Sequence, residues 1–133
     1  MWRVFLIALA LAGCVQLPLT PQDIQARKFE PVPDKAVIYL VRDNPDFSDK
    51  AATIWLGESV MITTYPGTYF RWEAEPGTLR ITGYPPDVGA ITLQTEPGRI
   101  YFVRQQLAPF TRFPLSQFFL VNEPYGRAAV SRA

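Results

Sequence analysis

A chain of 133 residues is enough for one domain, and 48% hydrophobic against 19% charged residues sets it apart from disordered sequences, which are poorer in apolar groups. Lys and Arg total 13 against 12 Asp and Glu, and loss of residues 1–13 with Arg3 would leave 12 against 12. The cations are scattered among acids, so neither nucleic acid nor an anionic surface is indicated as a partner.

The first residues read as an address. Met1-Trp2-Arg3 is a short positive start, and residues 4–12 are an uninterrupted apolar run of nine. A bilayer core needs ~20 residues, so the run is too short to span and fits the apolar part of a signal peptide. It ends in Leu11-Ala12-Gly13-Cys14, which resembles the lipobox of bacterial lipoproteins at every position. Small residues suit the groove of the peptidase, and the thiol of Cys14 is the nucleophile that takes up the diacylglyceryl group. The expectation is cleavage between Gly13 and Cys14, with lipidation of Cys14. The resemblance implies three fatty acyl chains, and more than one chain makes anchoring stable at ~0.8 kcal/mol per buried CH₂. Val15 follows the cysteine, where aspartate would signal inner-membrane retention, so the expected location is the outer membrane, facing the periplasm.

Residues 14–34 are polar and broken by Pro18, Pro21, Pro31 and Pro33. They read as the lipidated cysteine and a tether, with one helical turn around Pro21-Gln22-Asp23-Ile24. Residues 35–133 form the expected domain. The segment 36–42 is apolar on both faces, as in a central strand covered on two sides. Residues 53–56 and 59–62 flank Gly57-Glu58, which suits a type II′ hairpin. Residues 68–73 put Phe70 and Trp72 on one face, with Tyr69, Arg71 and Glu73 on the other. Two Glu-Pro-Gly turns, at 75–77 and 96–98, read as hairpin entries. The first leads into 78–82, with Leu79 and Ile81 inward, and residues 90–94 repeat that alternation. The second leads into 99–104, again apolar on both faces. Beyond Leu107 the chain is aromatic and proline-punctuated, with a further strand at 117–122 and a short terminal helix at 125–132. Thirteen prolines and eight glycines mark the turns. The fold class is all-β, an antiparallel β-sandwich of about seven to eight short strands, although a small closed barrel would show the same alternation.

The opening Ala-Val-Ile-Tyr-Leu-Val-Arg at 36–42, Trp-Leu-Gly-Glu at 55–58, Tyr-Phe-Arg-Trp at 69–72, and the two Glu-Pro-Gly motifs with Arg-Ile-Tyr-Phe-Val after the second together resemble a bacterial lipoprotein family. That family is catalogued as domain of unknown function 2846, and the likeness covers half to two-thirds of the chain. It implies a compact β-sandwich without an assigned enzymatic activity and supplies no catalytic residues.

Side-chain chemistry narrows the functional classes. The sequence has no histidine, and Cys14 is the only cysteine, which removes Ser-His-Asp and Cys-His nucleophilic schemes and zinc sites rich in these residues. Asp43, Asn44, Asp46, Ser48 and Asp49 offer oxygen ligands of the kind calcium takes, but their spacing does not match the helix-loop-helix calcium loop, and a polar turn between strands is the plainer reading. Glu73 and Glu75 could pair as in glycoside cleavage, yet beside a Pro-Gly turn they read as solvated. Lys50 near Ser48 suggests a dyad only until Asp46 and Asp49 are counted beside them. Trp55, Tyr69 and Trp72 could stack on a glycan, although alternate strand positions are first of all core positions. The stretch from Phe110 to Phe119 either covers one end of the sandwich or offers a patch or edge to a partner.

The leading expectation is a non-enzymatic, lipid-anchored module that binds another envelope component, a protein first of all, with no catalytic residues, metal or cofactor. A small-ligand or glycan binder stands second, and a hydrolase using Asp or Glu third.

Overall fold

In the computed structural model, residues 19–133 are described; Gly13, Cys14 and the apolar run before them lie outside the described residues. Eight strands and two helices follow one another: α1 (Pro21–Ala26), β1 (Ala36–Arg42), β2 (Ala52–Leu56), β3 (Val60–Thr64), β4 (Thr68–Ala74), β5 (Gly77–Gly83), β6 (Ala90–Thr95), β7 (Ile100–Leu107), β8 (Ser116–Val121) and α2 (Glu123–Arg132). One sheet has the order β4-β1-β7-β8 and the other β3-β2-β5-β6. Two facing four-stranded sheets make a sandwich rather than one closed barrel. All pairings are antiparallel except that of β1 with β7, which run side by side in parallel.

Alternation decides what fills the space between the sheets. Ala36, Ile38, Leu40 and Val103 of the first sheet meet Ile54, Leu56, Ile81 and Leu93 of the second, with Phe70, Trp72 and Phe118 packed around them. The other face of the first sheet is also covered. Val37, Tyr39, Val41 and Phe102 lie under Ala26, Ala129 and Val130 of the two helices, with Phe29, Val32 and Tyr125 alongside. This double covering is why β1 is buried at every position. The second sheet has an open outer face of Met61, Thr63, Arg80, Thr92 and Gln94, all exposed.

Three details depart from the reading of the sequence. Residues 20–34 are docked onto the first sheet instead of forming a free tether: the Tyr39 hydroxyl donates to the carbonyl of Ala26 at 2.6 Å, and Arg27 donates to the carbonyls of Val130, Ser131 and Ala133 at the end of α2. The folded unit therefore includes α1, because Ala26, Phe29 and Val32 bury apolar surface that the outer face of β1 and β7 would otherwise expose. The Glu-Pro-Gly turns do not enter hairpins. Each carries the chain from one sheet to the other, β4 to β5 and β6 to β7, and Gly77 and Gly98 adopt φ of 127° and 75° there. The β2–β3 connection is a three-residue turn of Gly57, Glu58 and Ser59, since Leu56 is paired with Val60. Helix α1 starts at the Thr20 cap, whose hydroxyl accepts from the Asp23 amide, and α2 starts at Asn122, which caps Tyr125 in the same way.

Candidate functional site

Strand β4 is an edge. Among the described residues it pairs with β1 on one side and with no other strand. Helix α1 runs beside it, and the two bound an open groove of about 580 Å³ lined by Pro21, Gln22, Gln25, Ala26, Phe70 and Arg71, together with Asp23 and Tyr69. The Tyr69 hydroxyl donates to Asp23 at 2.6 Å and ties helix to strand. Partial burial, reinforced by that bond to a carboxylate, pushes the Tyr69 hydroxyl up to about 12. The bond also holds Asp23 below its usual range. Arg27 lies over the Tyr69 ring at 5.5 Å, and Arg71 pairs with Glu73 at 2.6 Å. Despite the cost of burial, that carboxylate keeps the Arg71 guanidinium firmly charged, its pKa raised.

A second feature lies where four connections meet. Strands β1 and β7 end, and β4 and β8 begin, at the same end of the first sheet; β3 and β5 end, and β2 and β6 begin, beside them. The loops 43–51, 65–67, 84–89 and 108–115 therefore cluster at this end. Beneath them a chain of buried polar groups closes the apolar core. Arg42, 2% exposed, donates from Nε to Asp46 at 2.7 Å and from its terminal nitrogens to the carbonyls of Thr64 and Ser48. Asp46 also accepts from the amides of Phe47 and Leu107. Thr64 donates to Gln105, Gln105 to Ser116, and Ser116 to Asp87 at 2.6 Å; Asp87 further accepts the amides of Ser116 and Gly89. The donors and acceptors are matched, as buried polar groups require. Loops 43–51 and 84–89 are thereby fastened to the sheets, and the strand residues Thr64, Leu107 and Ser116 that flank the other two loops are held in the same chain of bonds. Large apolar side chains nevertheless stand exposed on the four loops: Phe47, Tyr65, Tyr84, Val88, Phe110 and Phe113.

The residues singled out by sequence are dispersed. Asp46 is taken by Arg42, while Asp43 is engaged by Arg104 at 3.2 Å, by Arg132 and by the Tyr125 hydroxyl, so the oxygen-rich stretch is a structural turn. Burial and that carboxylate raise the Tyr125 pKa. Among the described residues no three His, Cys, Asp or Glu side chains converge as metal ligands. Glu73 and Glu75 are exposed and paired with Arg71 and Lys35. The Lys50 ammonium donates to the Thr111 carbonyl rather than to Ser48. Trp72 is in the core, Tyr69 faces α1, and Trp55 stands on the outer side of the second sheet opposite Met61, so the three do not form one stacking platform. Of the late aromatic stretch, Phe118 packs on the core while Phe110, Phe113 and Phe119 are exposed. Comparison with known proteins found no matching family model, curated relative or solved structure. No helix among the described residues is long and apolar enough to cross a membrane.

Sequence reasoning missed the groove and the buried network. The three-residue spacing of Ala26, Phe29 and Val32 among the prolines was a signal that this segment docks on a sheet, which is what forms one wall of the groove. The network had none, because Arg42, Thr64, Asp87, Gln105 and Ser116 come together only through the pairing of the sheets.

Proposed function

We propose that the chain is a lipoprotein of the outer membrane, held by lipid on Cys14 at the periplasmic side, that binds an extended segment of another envelope protein without catalysing a reaction. The observation that carries this reading is the unpaired edge of β4 opening into the groove beside α1. An edge strand presents backbone donors and acceptors that a partner strand satisfies, and alternate side chains of that partner enter flanking pockets. Pro21, Ala26 and Phe70 supply apolar contact, while Arg71, Gln22 and Gln25 supply polar anchors. The buried carboxylates Asp46 and Asp87 are saturated by structural bonds, which leaves no free acid-base pair there for hydrolysis.

The test is site-specific photocrosslinking in cells from Gln22, at the groove, and from Thr92, on the open face of the second sheet, with mass spectrometry of the N-terminus of the captured chain. One envelope protein joined from Gln22 and not from Thr92, on a chain starting at acylated Cys14, supports the proposal. Equal capture from both positions, or an uncleaved N-terminus, overturns it.

A further inference from the structure

We infer that the four-loop end is a membrane-docking surface, seated at the boundary between headgroups and acyl chains of the bilayer that holds the anchor. The inference rests on the lipid-anchor reading of Cys14 and is independent of the β4 groove. Phe47 is 66% exposed, Val88 85% and Phe110 105%, with Tyr65, Tyr84 and Phe113 beside them. Toward the opposite end the exposed large apolar side chains are Met61 and Leu120, which stand on β3 and β8 and not on connections. The connections there, at 57–59, 75–76 and 96–99, carry Glu58, Glu75, Glu96 and Arg99, and no exposed large apolar side chain is found in them.

The shape of the surface points to the occupant. The six side chains are spread over four loops, and the hollow among Tyr84, Pro85, Pro86 and Pro114 is only about 180 Å³, so they do not line a fitted pocket. Separate apolar tips suit a fluid, planar phase. Tyrosines among them have an apolar body and a polar tip, the residue character enriched at membrane interfaces. Phe110 holds a φ of 60°, a left-handed conformation that is strained for a bulky residue, and its ring is wholly in solvent. Strain kept to present an exposed ring calls for a partner. The buried network fixes the backbones of loops 43–51 and 84–89, so Phe47, Tyr84 and Val88 are presented in a set arrangement.

The anchor has the reach to bring this end to the bilayer. Pro21 and Gln22 line one groove with Phe70 and Arg71, and Thr68, two residues from Phe70, is already at the loop end, about 7 Å along the strand. Cys14 precedes Leu19 by five residues, which span at most ~18 Å.

The experiment uses the full lipidated chain carrying Phe110→Cys, Val88→Cys or, at the opposite end, Glu58→Cys, each labelled with an environment-sensitive fluorophore. These positions are exposed, so folding is retained. The protein is reconstituted into vesicles of phosphatidylethanolamine and phosphatidylglycerol containing shallow spin-labelled lipid. Blue-shifted, quenched emission from positions 110 and 88, with unshifted, unquenched emission from 58, is expected. If the protein floats with the vesicles and the labels at 110 and 88 stay in water, the inference fails while the anchor reading stands. A label shielded in native envelopes but wet on protein-free vesicles would assign the surface to a protein and equally overturn it. A chain that is not acylated and does not float overturns both.

Discussion

Replacing Arg42 by methionine is expected to destabilise the domain by about 3–5 kcal/mol, the cost of breaking a buried ion pair from one side. The Arg42 and Asp46 side chains are 0% and 3% exposed, so solvent screens neither charge. Without the guanidinium, Asp46 keeps only the amides of Phe47 and Leu107, and the carbonyls of Thr64 and Ser48 lose their donor. Methionine restores apolar volume but no donor. With a urea m-value of about 2 kcal/mol/M for a domain of this size, a loss of about 4 kcal/mol lowers the unfolding midpoint by about 2 M. Urea titrations followed by far-ultraviolet circular dichroism and by tryptophan fluorescence read this directly. The double variant Arg42→Met, Asp46→Leu removes the unpaired Asp46 charge and is expected to regain that part of the loss, while the amides of Phe47 and Leu107 stay without their acceptor. A midpoint within about 0.5 M of wild type for Arg42→Met alone would refute the view that this pair fastens the loop end.

Three further outcomes follow from particular contacts. Gly126→Ala adds about 1 kcal/mol of helix propensity, yet its Cβ would lie 2.2 Å from the ring of buried Phe102, which stacks on Tyr39; overpacking at about 1–3 kcal/mol or more outweighs the gain, and the melting temperature is expected to fall. Phe110→Gly relieves a left-handed φ of 60° without removing packing, so it is expected to stabilise the fold by about 1 kcal/mol in the same urea titration. The Tyr69 pKa is raised in the folded state, so its contribution to stability is fully present below the ordinary tyrosine value of about 10 and is lost as pH rises through about 12. Spectrophotometric titration of tyrosinate is expected to lose its step near pH 12 in Tyr69→Phe, and an unchanged step would show that Tyr69 is not the group that titrates there.

The strands were legible because a residue's place in a two-residue alternation is written locally. Leu79 and Ile81 inward, Arg80 and Thr82 outward, and the apolar coats on both faces of β1 and β7 need no knowledge of partners. The helical turn at Pro21 and the terminal helix were expected, but Asn122, read as the end of a strand, is the cap of α2, which starts at Glu123 and not at Tyr125. The groove was harder to read. Its walls are a six-residue helix and an edge strand 46 residues apart, joined by Tyr69 and Asp23, and nothing local says that β4 is an edge.

The sequence by itself determined which side chains face inward, where the chain turns, and that histidine and paired-cysteine chemistry is unavailable. These are properties of residue type and near-neighbour spacing. Tertiary structure alone decided that β1 and β7 run in parallel, that the Glu-Pro-Gly turns cross between sheets, and that Arg42, Asp46, Thr64, Gln105, Ser116 and Asp87 close one end beneath exposed rings. Period-two alternation sets the face a side chain takes, but strand order and direction depend on which distant partner buries the most surface and satisfies the backbone.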